Sequence, residues 1–172
     1  MELRRKNCGF TLIETVIYVS MLAVVLVFTI NMLLVIFSTV GDFKATRRLN
    51  SSAEAAMERM IRETRSAYSV DDAASVFEAH PGRLYLHKKN PDTGAEETME
   101  FYLSGAALAY KANGGAEQLL SLPEIEVTNL VFRKLTGSTV SQAVKIEMQM
   151  RSSAEQYKSG NFYSTIILRG GY

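Results

Sequence analysis

Cysteine is almost absent: Cys8 is the only one, so residues 9–172 have no disulfide to form in an oxidising compartment. Nor does Cys8 suit a lipoprotein, because the apolar stretch follows it instead of preceding it. Histidine is equally sparse. His80 and His87 lie seven apart with no further histidine or cysteine at ligand spacing, so no zinc site is expected and both read as surface residues. Asp92, Glu96 and Glu97 lack the alternating spacing and glycine of a calcium loop and read as a solvated turn. There is no Gly-x-Ser-x-Gly elbow, phosphate loop or His-Glu-x-x-His, so we expect no enzyme, no metal and no cofactor.

A one-signed charge excess is also missing. Beyond residue 9 the chain carries 16 basic and 17 acidic side chains, a balance that implies no nucleic-acid partner. Arg47, Arg48, Arg59, Arg62 and Arg65 could form a basic stripe. Glu54, Glu58 and Glu63 interleave with them at spacings that favour intrahelical pairs and a solvated face.

The most informative gap is local: from Thr15 to Gly41 there is no Asp, Glu, Lys or Arg. As a helix from Phe10 to Phe37 this run would measure about 42 Å, enough to cross a hydrocarbon core of about 30 Å. Ser38-Thr39-Val40-Gly41 offers no A-x-A cleavage site, so the run is expected to remain in the mature protein as a single span. Arg4, Arg5 and Lys6 flank its short side, which predicts an N-terminus in the cytoplasm and a C-terminal part outside. Asn31 is the only strongly polar residue in mid-span and could hydrogen-bond between packed helices.

Proline first occurs at Pro81, so nothing forbids one helix from Phe10 to about Tyr68, with Gly41-Asp42 its softest point. Past the span, Leu49, Ala53, Met57, Met60, Ile61, Thr64 and Tyr68 recur at threes and fours, an amphipathic pattern. After Val70 the period becomes two. RLYLHKK, TMEFYLS and AVKIEMQM read as half-buried strands, with Val144, Ile146, Met148 and Met150 on one face of the last. Turns are expected at Asn90–Gly94, Asn113-Gly114-Gly115 and Gly137-Ser138. The fold class is therefore α+β: one long N-terminal helix whose amphipathic part covers an antiparallel sheet of about four to six strands. The divisions are a leader over 1–9, an apolar helix over 10–40, an amphipathic helix over 41–70 and a sheet head over 71–172.

Gly9-Phe10-Thr11-Leu12-Ile13-Glu14, after a short basic leader and before an uncharged helix, resembles the class III signal of type IV pilins and type II secretion pseudopilins. The resemblance implies that a prepilin peptidase cuts between Gly9 and Phe10 and methylates the new N-terminus at Phe10. It also implies that Glu14 is the counter-ion for the N-terminal ammonium of a neighbouring subunit during filament assembly. Residues 56–67, Phe101-Tyr102-Leu103 and 162–169 bear a looser likeness to W-type minor pilins and J-type minor pseudopilins. The mid-span proline and C-terminal cysteine pair of many major pilins are both missing. The expectation is a minor pilin or pseudopilin in the cytoplasmic membrane, then in a periplasmic or extracellular filament serving a pilus, DNA uptake or type II secretion. Its partners would be the peptidase, other pilins or pseudopilins, the assembly platform and the membrane. The alternative is a signal-anchored extracytoplasmic ligand-binding module that does not polymerise.

Overall fold

The structure is a computed structural model that describes residues 11–90, 92–136, 142–153 and 158–169. It comprises one helix, α1 (Leu12–Ser66), and eight strands. The chain divides into two compact units, Met1–Asp42 and Phe43–Tyr172.

In the first unit, the α1 residues from Leu12 to Asp42 keep their helical assignment without a break, Gly41 included. The most apolar stretch has none of its residues buried: Leu12 is 82% exposed and Phe28 72%. A helix with this surface belongs in lipid or against other helices. Its hydroxyls are answered within the helix. Thr15, Ser20, Thr29, Ser38 and Thr39 each donate to a backbone carbonyl three or four residues earlier, so they add no unmet polar group to an apolar medium.

In the second unit, α1 buries Leu49, Ser52, Ala53, Ala56, Met57, Met60, Glu63 and Thr64. The helix was expected to run to about Tyr68, and its last residue is Ser66. The N–H of Ala67 closes the last turn on Glu63 and Thr64, and the N–H of Tyr68 donates to the His87 carbonyl at 2.9 Å. The chain has by then joined the sheet.

The strands are β1 (Ser69–Val70), β2 (Leu84–Lys89), β3 (Glu96–Ser104), β4 (Ala107–Ala112), β5 (Gln118–Leu119), β6 (Ile125–Thr136), β7 (Gln142–Ser152) and β8 (Ser159–Ile167). Every pairing is antiparallel between sequence neighbours. The β2–β3 hairpin turns at Asn90–Gly94 as expected. Asn90 Oδ1 accepts from the N–H groups of Asp92 and Thr93, and Gly94 takes a φ of 69° that suits glycine. A second turn holds Asn113 and Gly114, both at positive φ, between β4 and β5. The expected Gly137-Ser138 turn lies outside the described residues.

One sheet was expected, and there are two, in orders β1-β2-β3-β4-β5 and β6-β7-β8. Pairing stops at β5, which is only two residues long, and Pro123 stands just before β6. The far edge of β6 is occupied by loop backbone, because Glu78 and Gly82 donate to the carbonyls of Phe132 and Leu130. His80 Nδ1 accepts the N–H of Leu130 at 3.1 Å. Only glycine permits the approach at residue 82, where a Cβ would sit 2.9 Å from the Leu130 oxygen. His80 is exposed as expected. His87 is half-buried, 3.5 Å from Asp71, which corrects its reading as a plain surface residue.

Both sheets turn their apolar faces into one core. It joins Leu84, Leu86, Met99, Phe101 and Leu108 to Phe132, Val144, Ile146, Met148 and Met150 around Ala53, Met57 and Met60. The alternating face read from AVKIEMQM is the buried one. Amid these residues the carboxylate of Glu63 sits 3.0 Å from both Arg59 Nε and Lys88 Nζ, which accounts for an acid on the inner face of the helix.

Candidate functional site: the capping turn of the apolar helix

Of the three residues singled out at the N-terminal signal, Gly9 and Phe10 lie outside the described residues and Glu14 lies in the first turn of α1. Thr11 caps that turn. Its carbonyl accepts the N–H groups of Glu14 and Thr15 at 3.1 and 3.2 Å, and its hydroxyl lies 3.4 Å from the Glu14 N–H. Thr11-x-x-Glu14 thus has the spacing of a capping box, in which a threonine hydroxyl answers the third helical N–H. The Thr-x-x-Glu spacing is legible in the sequence.

Its position in the first turn sets the carboxylate of Glu14 in the favourable field of the helix N-terminus. The hydroxyl of Tyr18, one turn on, donates to Glu14 Oε1 across a long 3.4 Å. No cation among the described residues lies within ion-pair distance of Glu14, and no charged side chain follows it until Asp42. Leu12, Ile13, Val16 and Ile17 stand around it more than half exposed. Chemically, this is an acceptor-only group on an apolar cylinder, suited to receive a cation from outside the chain.

Among the described residues no group of three or more His, Cys, Asp or Glu could hold a metal. In the second unit, Arg59 and Arg62 form the intrahelical pairs expected of them, with Glu63 and Glu58. Arg48 pairs instead with Glu124 at 2.7 Å, a partner 76 residues away that helical spacing could not reveal.

Residues 4–30 match the prokaryotic N-terminal methylation motif. No curated protein and no solved structure gives a match. The chain thus carries the class III signal of type IV pilin-like prepilins, joined to an α+β layout of pilin type: one long N-terminal apolar helix and antiparallel sheets. That signal implies processing by a prepilin peptidase and partners of pilin type, and it fits a membrane-anchored chain.

Proposed function

We propose that this chain is a minor pilin or minor pseudopilin, a non-enzymatic subunit that primes or joins a type IV pilus-like filament. The peptidase cuts between Gly9 and Phe10, Phe10 is methylated, and the apolar helix leaves the cytoplasmic membrane for the filament core with the second unit outside. Expectation of the minor class rests on the absence of the cysteine pair and of the mid-span proline, and on the likeness of residues 56–67 and 162–169.

The observation that carries the reading is Glu14, an acid with no cation within ion-pair distance among the described residues, set before a run without charge from Thr15 to Gly41 whose most apolar stretch has no buried residue, inside the methylation motif. An unpaired acid at mid-membrane costs about 2.5 to 3.5 kcal/mol, less near the edge. The Coulomb attraction of an ammonium at about 4 Å with an effective dielectric near 20 is roughly 4 kcal/mol. The ammonium that cleavage creates on a neighbour therefore offsets the cost, and subunits in register are favoured over dispersed ones.

Mass spectrometry of membrane-purified protein tests processing: methylated Phe10 is expected, whereas an intact Met1 in cells with active peptidase would favour an anchored binding module. Glu14→Val should still be cut, yet cross-linking to filament partners should fall sharply, since losing one member of a buried pair costs about 3 to 5 kcal/mol. Undiminished cross-linking of the processed variant would remove Glu14 from the mechanism.

A further inference from the structure

Two stretches far apart in sequence, 56–67 around the last turns of α1 and 162–169 in and just past β8, meet in the second unit. The backbone N–H of Arg169 donates to the carbonyl of Arg65 at 3.1 Å, which fixes the chain just past β8 against the last turn of α1. Glu58, Ile61, Arg62, Arg65, Ser66 and Arg169 line an open groove at this junction. Its floor is apolar, with half-buried Ile61 packed against the core. Its rim is cationic. Arg62 is partnered by Glu58 at 3.2 Å, whereas no carboxylate among the described residues pairs with Arg65 or Arg169, both exposed. By contrast Arg48, Arg59, Arg83, Arg133 and Arg151 each have a carboxylate partner. The field of the helix C-terminus accounts for a cation at Arg65, but Arg169 comes from another element.

We propose that this groove docks an acidic segment of a neighbouring pilin-type subunit. An Asp or Glu carboxylate is engaged by Arg65 and Arg169 while its aliphatic stem lies on Ile61. The inference rests on the filament-subunit reading for the identity of the partner. A guanidinium fork matches a carboxylate through paired hydrogen bonds, and an apolar floor suits a side chain or strand better than a bare ion. A nucleic-acid strand fits less well. Phosphate-backbone binding draws on a row of about six to ten cationic contacts, and this groove sets Arg65 and Arg169 beside Glu58.

The test uses the full chain in its own cells, with a photoreactive phenylalanine in place of Ser66. Adducts are sequenced to identify the partner and the residue reached. The expected adduct is a second protein with a methylation motif, captured at a segment containing Asp or Glu. Arg65→Glu with Arg169→Glu should lower its yield about tenfold or more, with processing and head melting temperature unchanged, and Arg65→Lys with Arg169→Lys should lower it less. Changing the mapped acid of the partner to arginine should restore capture by the doubly reversed chain. Undiminished adducts after reversal, adducts on a segment with no acid, adducts to nucleic acid, or no pilin-type adduct would each overturn the docking. The mature N-terminus in the same strain separates the two proposals: an intact Met1 overturns the filament reading, whereas methylated Phe10 with adducts unchanged by the arginine variants overturns the groove alone.

Discussion

At the scale of the residue, paired carboxylates of the second unit set how it responds to acid. Glu147 on β7 accepts from Lys145 at 2.7 Å and Arg133 at 3.1 Å, and these bonds hold its carboxyl below the ordinary 4.5. Asp71 is held below 3.8, chiefly by the N–H of Ala74, with help from Ala73 and His87. A depressed folded value means that the stabilisation is whole above the unfolded value and is lost as pH falls through the folded one. Thermal melting of the second unit should therefore decline as the pH falls below the ordinary carboxylate range and through the depressed values of Glu147 and Asp71. Glu147→Gln should flatten that decline, and an unchanged acid limb would show that Glu147 does not contribute to it. Glu14 itself was legible, because a lone acid at the edge of an uncharged run stands out in any reading of the chain. The pairings of Glu63 with Lys88 and of Arg65 with Arg169 were not, since each joins elements whose approach no local pattern encodes.

At the scale of the element, periodicity carried most of the information. Of the stripe Leu49, Ala53, Met57, Met60, Ile61, Thr64 and Tyr68, Ile61 and Tyr68 are half-buried and the other five are buried as the spacing predicts. Ala56 and Ser52 share the buried face and were missed. Alanine is a weak marker of burial, and Ser52 is buried because its hydroxyl accepts the N–H of Leu122. Met60 is fully buried where both sheets meet the helix, so Met60→Ala should lower stability by about 2 to 5 kcal/mol in denaturant unfolding. A loss under about 1 kcal/mol would mean that the site collapses around the smaller side chain. The division into two sheets escaped the sequence reading. It depends on loop backbone at Glu78 and Gly82 that reaches β6, and alternation within a strand carries no trace of such a contact.

At the scale of the whole molecule, the two units ask for different surroundings. Residues of the first expose apolar side chains along their length, whereas the second closes a core of its own from Leu49 to Ile166. A fragment beginning at Phe43 should fold in water without detergent, with cooperative melting and a mixed helical and strand circular dichroism spectrum. Aggregation or disorder of that fragment would show that the sheets need another subunit for cover. The antiparallel meander has a further consequence, for the order in which the chain can acquire its form. Since each strand bonds only to those next to it in sequence, each hairpin closes a short loop at small entropic cost, which favours rapid formation of each sheet. Synthesis delivers α1 first and then β1 to β5, so a nascent chain extended just past Leu119 already holds a complete sheet and the helix that packs on it. The β6-β7-β8 sheet can then condense on that nucleus as it emerges, without threading through anything already formed.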